Sequence, residues 1–522
     1  MNRQQMIHQV ESHQGEWDIC IIGGGATGLG IAVDAASRGF TVLLAEQSDF
    51  AKGTSSRSTK LIHGGVRYLQ QGNIKLVFEG LRERGLLRKN APHLVKDQSF
   101  IIPGYKWWEP AFYGIGLKIY DWMAGKLALR PSKILSKKNT LEQAPTLNPS
   151  GLTGGVLYHD GQFDDARLAI NLAQTAVEKG GTLINYMEVT GFLKHEKKVS
   201  GIRVKDLVST REYDILAKVV INATGIFTDV VLKMDDEKAA SVLSFSQGIH
   251  LVLEKEFLPG EAAILVPSTD DGRVLFAVPW HNKTLVGTTD TPVNKAVLEP
   301  LALATEIDFV LSQVGKFLIK PPAFSDVKSI FTGIRPLVKG NAKSTAELPR
   351  DHYIQLSDSG LITITGGKWT TYRRMAEDAI NTAIKNNMLD HRPCVTKQLK
   401  IHGWKKSINY NEALYYYGSD AHGIGELIHN DKPLAEKIHP LLPYSKAEII
   451  WAVRQEMCLT LEDALARRTR ALFLNAQAAI DAAPLVASIM AEEMQKDTNW
   501  QIQELANFNE TAVKYLPSNY KQ

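Results

Sequence analysis

The stretch Asp18-Ile19-Cys20-Ile21-Ile22-Gly23-Gly24-Gly25-Ala26-Thr27-Gly28 decides the fold of this chain. Its first half is apolar and rich in β-branched residues, which is typical of a buried strand. The chain then turns on three glycines and enters a helix of small residues over 29–37. A second apolar strand, 41–45, ends at Glu46. This order of strand, glycine turn, helix, strand and acid predicts a dinucleotide-binding βαβ unit.

The residues of the turn have separate physical tasks. Gly23 allows the tight turn, Gly25 lets a pyrophosphate approach the backbone, and Gly28 lets the helix pack closely against the sheet. The helix N-terminus offers N–H groups and partial positive charge to the phosphates. Glu46 can accept hydrogen bonds from both ribose hydroxyls and would repel a 2′-phosphate, so FAD or NAD is favoured over NADP. The alternative is a glycine turn without a ligand.

Composition sets broad limits on the protein. The 522 residues suffice for about two or three domains, and a net charge of +4 gives no reason to expect nucleic-acid binding. Residues 1–16 are polar and lack the apolar core of a secretory signal, and no window of about 18 apolar residues predicts a transmembrane helix. Cys20, Cys394 and Cys458 lie far apart, so we expect reduced thiols, a cytoplasmic protein and no metal site.

Between Lys52 and Gly65 the chain carries five hydroxyl residues, three basic residues and three glycines. This composition cannot form a core element, but it suits a loop that wraps a polyanion with hydroxyls and backbone N–H groups. A plain solvated loop is the alternative. His63, between Ile62 and Gly64, is by itself equally typical of a structural histidine.

The glycine turn and the segment Gly53-Thr-Ser-Ser-Arg-Ser-Thr-Lys-Leu-Ile-His-Gly-Gly-Val-Arg-Tyr68 together resemble the FAD-dependent glycerol-3-phosphate dehydrogenases. These are respiratory, quinone-reducing enzymes of the glutathione-reductase and D-amino-acid-oxidase type of fold. The resemblance extends over nearly the full chain. It implies an α/β fold in which a Rossmann-like FAD-binding domain joins an antiparallel-sheet substrate domain and a C-terminal helical domain.

The expected domain boundaries follow the predicted elements. Residues 1–16 are expected to form a polar tail, and 17–388 the FAD-binding domain. The substrate-binding sheet is interleaved with that domain at about 74–160 and 243–335. Residues 389–522 are expected to form the helical domain, with helices over 409–417, 444–457, 461–467, 484–496 and 499–515.

Two further turns are predicted to reach the cofactor. In flavoproteins of the resembled fold, the turn Asn222-Ala-Thr-Gly225 after an apolar strand passes close to FAD; an ordinary turn is the alternative. The corner Gly366-Gly367-Lys368 lies between a strand and a helix that extends to about residue 385. A helix N-terminus there can stabilise negative charge at the N1–C2=O edge of the flavin, and Lys368 can add a full charge.

Two arginines are predicted to bind the substrate. Gly333-Ile-Arg335-Pro-Leu337 and Pro349-Arg350-Asp-His352 match two motifs of the resembled family. Spacing alone does not bring the arginines together; the family pattern does. Arginine suits a phosphomonoester because its planar fork donates two hydrogen bonds and stays charged. A surface salt bridge is the alternative for each.

The resemblance implies that sn-glycerol 3-phosphate is oxidised to dihydroxyacetone phosphate. A base takes the hydroxyl proton, a hydride passes to flavin N5, and a quinone receives the electrons. His250, expected at the start of a strand, is the candidate base because imidazole accepts a proton near neutral pH. His63 is the second candidate, Arg335 is a third group that could act at the hydroxyl, and Lys368 serves flavin or substrate electrostatics.

The predicted site residues fall into three groups. The catalytic group is His250, Arg335, Lys368 and His63. The substrate-binding group is Arg335, Arg350, Arg67 and Tyr68. The cofactor-binding group is Gly23, Gly25, Ala26, Thr27, Gly28, Glu46, Thr54, Ser55, Ser56, Ser58, Lys60, Thr224, Gly225, Gly366, Gly367 and Lys368.

Residues 105–122 carry seven aromatic side chains, and lysines are interleaved with them. Amphipathic aromatics beside lysines suit a bilayer interface, and the resembled family sits on the inner membrane surface. We therefore expect a peripheral protein on the inner face of the cytoplasmic membrane. A core helix or a homodimer contact is the alternative.

The dense charge run 462–470 is interpreted as intramolecular ion pairs on a solvated face, with a contact to the FAD domain or a partner subunit as the alternative.

Three other functions stay open. They are a glycerol-3-phosphate oxidase that makes peroxide, an amine or 2-hydroxy-acid oxidase of the same fold, and a flavin-binding sensor without turnover. The glycerol-3-phosphate oxidases carry an extra insertion in the second half that is not found here.

Overall fold

The computed structural model describes residues 1–65, 73–339 and 351–520, and its elements are numbered along them. The strands are β1 Trp17–Ile22, β2 Val42–Ala45, β3 Leu61–Ile62, β4 Val95–Gly104, β5 Lys133–Ser136, β6 Gly154–Phe163, β7 Thr182–Ile184, β8 Met187–His195, β9 Lys198–Asp206, β10 Glu212–Asn222, β11 Leu243–Glu254, β12 Ala263–Val266, β13 Leu275–Trp280, β14 Lys283–Gly287, β15 Thr291–Val293, β16 Ser329–Val338, β17 His352–Leu356 and β18 Ile362–Gly366. The helices are α1 Arg3–Ser12, α2 Ala26–Ser37, α3 Ile74–Asn90, α4 Glu109–Ala124, α5 Lys137–Gln143, α6 Asp165–Glu178, α7 Thr228–Asp235, α8 Ala304–Gly315, α9 Tyr372–Lys385, α10 Ala421–Asn430, α11 Lys446–Gln455, α12 Ala471–Leu474, α13 Ala476–Met494 and α14 Thr498–Ala512.

The first sheet contains the predicted βαβ unit. Its strand order is β17-β18-β10-β1-β2-β7, and the β8–β9 hairpin extends from β10. β1 pairs in parallel with β2 and β10, and β10 pairs in parallel with β18. The fully buried apolar residues of β1 explain why this strand lies inside a sheet covered on both faces. The α/β fold with its Rossmann-like domain is confirmed.

The second sheet has the order β15-β11-β14-β13-β12-β4-β6-β3, with β16 on β11 and β5 on β6. All these pairs are antiparallel except β12–β4, which confirms the antiparallel platform. His250 lies in the middle of β11, not at the start of a strand. The polar residues Ser244, Ser246 and Gln247 concealed the first half of β11, where they pair with β16.

The two ends of the chain depart from prediction. Residues 3–12 form a helix whose Met6 is buried and whose Arg3 pairs with Asp206 at 2.6 Å, so this segment is not a free tail. At the start of the C-terminal domain, the predicted helix over 409–417 is replaced by a 3₁₀ segment, Tyr415–Asp420. α13 continues through Pro484, where the sequence predicted a helix start.

The charge run 462–470 is buried, so its interpretation as a solvated face is wrong. Arg467, Arg468 and Arg470 are each at most 2% exposed. They pair with carboxylates of the dinucleotide domain, among them Asp49 and Asp165. The alternative prediction, contact with that domain, is the one the structure supports.

His402 joins the C-terminal domain to the end of α6. Its ring hydrogen-bonds to Glu178, and Nε2 lies 2.8 Å from Asp420. Burial lowers the pKa of His402, but the two carboxylates outweigh burial and raise it to about 9. The contacts of protonated His402 with Glu178 and Asp420 should therefore stabilise the fold fully below about pH 6.5, and this contribution should disappear as the pH rises through about 9.

We expect His402→Gln to lower the Tm by about 1–2 °C at pH 6, which corresponds in a chain of this length to about 1–2 kcal/mol after allowing for the half-exposed Glu178. The difference from wild type should shrink toward pH 10. Scanning fluorimetry of both proteins across this range checks it, with the exposed His422→Gln as the control. A Tm difference that does not change with pH would contradict the assigned charge on His402.

Candidate functional site

A cavity of about 460 Å³ lies between the two sheets. It lies at the carboxyl ends of β2, β1, β10 and β18, which are adjacent parallel strands. Adjacent strands are about 4.8 Å apart, so these four ends extend over about 15 Å. This edge of an open parallel sheet is where α/β proteins bind nucleotides. Predicted cofactor residues that line the cavity are Gly23, Gly25, Ala26, Thr27, Glu46, Thr54, Ser55, Ser58, Thr224, Gly225, Gly366, Gly367 and Lys368.

The hydroxyl-rich loop connects the walls of this cavity. Ser55 Oγ accepts a hydrogen bond from the N–H of Ala26 at the start of α2, at 3.0 Å. Thr54 Oγ1 donates to the carbonyl of Ile334 at 2.6 Å. Trp369 Nε1 donates to the carbonyl of Ser55 at 2.8 Å. The loop therefore fixes the glycine turn, the Arg335 strand and the Gly-Gly-Lys corner relative to one another.

Glu46 is oriented toward the glycine turn. Its carboxylate accepts hydrogen bonds from the N–H groups of Gly24, at 2.6 Å, and Ser48, at 2.8 Å. Burial raises the pKa of Glu46, and these two N–H groups act against that rise. The carboxylate is thus held at the end of β2, where a ribose is recognised in dinucleotide sites.

Arg335 lines the cavity, and its guanidinium is fixed by protein oxygens. Nη1 donates to the carbonyl of Gln247 at 3.2 Å and lies 3.4 Å from Asp290 Oδ1. Nη2 donates to Thr288 Oγ1 at 3.0 Å and to the carbonyl of Thr289 at 2.9 Å. The predicted cation is therefore present and its position is set by the platform sheet.

His250 lines the cavity beside Arg335. Its Nε2 lies 2.9 Å from Thr59 Oγ1, and its ring stacks on Phe331 with centroids 4.9 Å apart. Burial, followed by the charges of Lys60 and Arg335, holds the pKa of His250 well below its usual range. The imidazole is consequently neutral at physiological pH, which is the form that accepts a proton.

The two other predicted catalytic residues also lie at the cavity. Lys368 immediately precedes the short 3₁₀ turn Trp369–Thr371, and its carbonyl accepts hydrogen bonds from that turn. His63 lies at the far end of the loop, where its carbonyl faces Thr370 Oγ1 at 3.4 Å. All four predicted catalytic residues therefore line one cavity: His63, His250, Arg335 and Lys368.

Three predicted cofactor residues lie away from the cavity. Lys60 is fully buried and donates to Asp165 at 2.7 Å and to the carbonyl of Ser56 at 2.8 Å. Ser56 belongs to the loop but is itself buried. Gly28 packs inside the turn, where an added Cβ would lie 1.9 Å from the carbonyl oxygen of Gly23. These three positions support the loop and the turn from behind. Arg67, Tyr68 and Arg350 lie outside the described residues.

Several cavity residues escaped prediction. Arg57 and Thr59 belong to the hydroxyl-rich loop, and the composition of that loop was a usable signal for both. Met187, Glu188 and Val189 line the cavity at the start of β8. No motif marks these three, because their position depends on the pairing of β7 beside β2.

The residues present fit an extended dinucleotide that carries a flavin. Gly25, the N-cap of α2, has no side chain to occupy the helix N-terminus, where phosphate binds. The carboxylate of Glu46 suits a ribose, and Lys368 with the Gly-Gly turn suits the electron-rich edge of a flavin ring.

Comparisons with known proteins agree with this site. Residues 18–373 match the family described as FAD dependent oxidoreductase, and residues 362–501 match the C-terminal domain of alpha-glycerophosphate oxidase. The mitochondrial glycerol-3-phosphate dehydrogenase of Homo sapiens is 41% identical over 96% of this chain and 73% of its own length. The enzyme of Schizosaccharomyces pombe is 39% identical over 95% of this chain and 87% of its own.

A solved structure extends the comparison to the fold. The glycerol-3-phosphate dehydrogenase from Bacillus halodurans complexed with FAD has a TM-score of 0.80 and 30% identity, covering 98% of this chain and 97% of its own. The cofactor of this chain is FAD, and the chain belongs to the family of FAD-dependent glycerol-3-phosphate dehydrogenases.

Proposed function

We propose that this enzyme oxidises the secondary alcohol of sn-glycerol 3-phosphate to dihydroxyacetone phosphate and passes the electrons to a quinone. The observation that carries the proposal is a fixed guanidinium, Arg335, beside a neutral imidazole, His250, in the FAD cavity. The names of the similar proteins support the same substrate. A substrate panel tests the proposal: glycerol 3-phosphate should be oxidised, while lactate and glycine, substrates of the rival oxidase classes, should not.

Arg335 is proposed to attract the phosphate and to position C2. Four hydrogen bonds from its terminal nitrogens hold the guanidinium to the platform, so the cation costs little further ordering when the substrate binds. Its charge acts on a dianion inside a partly buried site, where screening is weak. Arg350, Arg67 and Tyr68 are proposed to complete the substrate site, as the family resemblance implies.

The alcohol proton is proposed to reach His250 through Thr59. The Thr59 hydroxyl lines the cavity and lies 2.9 Å from His250 Nε2. It can accept the substrate proton while it passes its own proton to the imidazole. When bound, FAD supplies the acceptor for the hydride that leaves C2. His63 is the second candidate base, and Lys368 is proposed to offset negative charge in the cavity.

Gly248→Ala tests whether the position of the guanidinium matters as well as its charge. A Cβ at Gly248 would lie 2.2 Å from Arg335 Nη2 and 2.5 Å from Thr288 Oγ1. The fork must shift, so we expect kcat/KM for glycerol 3-phosphate to fall by about 10- to 100-fold, with FAD still bound. Steady-state kinetics check this, with Gly116→Ala, which meets no atom within 4 Å, as the control. Unchanged kinetics in Gly248→Ala would show that the observed fork geometry is unimportant.

Oxygen is the second candidate acceptor, because residues 362–501 match a domain named for an oxidase. Turnover with glycerol 3-phosphate should reduce a soluble quinone and yield little hydrogen peroxide. A peroxide yield close to one per substrate oxidised, with no quinone reduction, would instead identify an oxidase.

We also propose that the enzyme is peripheral on the inner face of the cytoplasmic membrane. α4 and the turn before it expose Trp107, Ile115 and Trp122 by 84%, 65% and 79%. Lys106 and Lys118 lie beside this apolar surface, the arrangement that amphipathic interfacial helices use. No helix within residues 1–65, 73–339 and 351–520 is long and apolar enough to cross a bilayer.

Vesicle flotation tests the membrane proposal. The double variant Ile115→Ser, Trp122→Ser should lose binding to anionic vesicles while it retains activity with a soluble quinone. Ile502→Ser, which removes an equally exposed apolar side chain from the C-terminal domain, is the matched control. Equal flotation of the double variant and wild type would exclude this surface.

A further inference from the structure

The buried charge run 462–470 has no part in the chemistry proposed above, yet it contacts the loop that lines the FAD cavity. Arg468 donates two hydrogen bonds to Asp49, at 2.6 and 2.8 Å, and Arg467 Nε donates to the same carboxylate at 2.5 Å. Asp49 is fully buried at the point where the chain leaves β2 and enters the loop. Two arginines of the C-terminal domain thus fix Asp49, which lies just before the loop begins at Lys52.

The same run holds the loop at two further points. Glu462 receives hydrogen bonds from Lys52, at 2.8 Å, and from Arg467, at 2.6 Å. Arg470 Nη2 donates to the carbonyl of Ser56 at 2.8 Å. Burial raises the pKa of Glu462, but the charges of Arg467 and Lys52 bring it down to about 2, so this carboxylate is ionised at neutral pH.

The residues between these fixed points face the cavity. Lys52, Gly53, Thr54 and Ser55 line it, and Ser55 Oγ bonds the first N–H of α2. Between Asp49 and Lys60 the chain has little structure of its own, since its one helical or strand element there is the short 3₁₀ turn Thr54–Ser56. Its conformation must therefore be imposed by its partners.

A second interdomain ion pair, Arg167–Glu456, makes it possible to distinguish an effect on the loop from a general weakening of the contact between the two domains. Arg167 on α6 donates two hydrogen bonds to Glu456, at 2.8 and 2.6 Å, and both side chains are buried. Arg167 joins the same two domains but donates its side-chain hydrogen bonds to Glu456 and not to the loop. Loss of Arg167 removes the bidentate partner of the buried Glu456, and loss of Arg468 leaves the buried Asp49 paired with Arg467 alone, so both variants should lower stability.

We propose that residues 462–470 of the C-terminal domain hold the hydroxyl-rich loop, residues 52–65, in the conformation that binds FAD. In this way the C-terminal domain sets the affinity for FAD. Arg467, Arg468 and Arg470 are positioning residues that act through Asp49 and Ser56. These contacts hold the part of the loop whose Ser55 bonds to the glycine turn, and this part lies away from the reacting atoms. They should therefore change how tightly FAD is held and leave the rate of each bound flavin largely unchanged.

The test compares Arg468→Met and Glu462→Gln with Arg167→Met. The dissociation constant for FAD is measured by flavin fluorescence on titrating apo-protein, and the apo-protein Tm is measured in parallel. We expect Arg468→Met and Glu462→Gln to weaken FAD binding at least tenfold, with the rate of flavin reduction per bound FAD within about threefold of wild type. Arg167→Met should lower the Tm but keep FAD affinity within about threefold.

Two outcomes overturn the proposal. One is normal FAD affinity in both Arg468→Met and Glu462→Gln. The other is an equal loss of affinity in Arg167→Met, which would assign the effect to domain attachment in general. If Arg468→Met fails to fold, Glu462→Gln, which removes charge from a less buried position, decides between these results.

Discussion

Replacing Arg335 by methionine is expected to lower kcat/KM for glycerol 3-phosphate by about 10²- to 10⁴-fold. The guanidinium charge is fixed at the cavity wall, and charge-assisted hydrogen bonds contribute about 1.5–3 kcal/mol each. Losing about 3–5 kcal/mol of transition-state binding gives the stated range, since each 1.36 kcal/mol is about tenfold. Arg335→Lys should recover only part of the loss, because an ammonium group cannot reproduce the planar fork.

Steady-state kinetics on FAD-loaded protein measure this effect. Lys339→Met removes an exposed positive charge just beyond the end of β16 and serves as the control for a change in net charge. An Arg335→Met enzyme within tenfold of wild type would remove Arg335 from the substrate site.

Replacing His250 by asparagine is expected to slow flavin reduction by about 10²- to 10⁴-fold, the usual contribution of a general base. Thr59→Val should show a loss of the same order, because it removes the hydroxyl that links the cavity to Nε2. Stopped-flow mixing with saturating glycerol 3-phosphate measures both. His159→Asn, a half-buried histidine on β6 outside the cavity, is the control.

The pKa of His250 gives this prediction a second readout. Because that pKa is held well below 6.5, the imidazole stays neutral as the pH falls from 8 to 6. The rate of flavin reduction at saturating substrate should therefore show no loss from His250 protonation in that range. Near-normal reduction in His250→Asn, or in His250→Ala, would transfer the role of base to His63.

How much of the site could be predicted from sequence depended on the range of the interactions. The βαβ unit and Glu46 follow from local periodicity and turn chemistry, and both are where the sequence placed them. Lys60 could not be placed in this way. It lies among cofactor-facing hydroxyls, but its ammonium group pairs with Asp165, which is more than a hundred residues away.

The same reason explains why the sequence did not predict that the charge run is buried or that His250 lies in the middle of β11. A dense run of charged residues is typical of a solvated face, and only the position of Asp49 shows that Arg467 and Arg468 are buried. The polar first half of β11 contradicts the usual apolar pattern of a strand. It is stabilised there by the long ladder with β16, which no local signal reveals.

The most direct test of the account is an anaerobic titration of the FAD-loaded enzyme with glycerol 3-phosphate, followed by flavin absorbance. The account predicts bleaching that begins at the first addition, with dihydroxyacetone phosphate formed in proportion to the flavin bleached. It also predicts strongly slowed bleaching in Arg335→Met and in His250→Asn. Flavin that stays oxidised in wild-type enzyme at saturating glycerol 3-phosphate would contradict the proposed function.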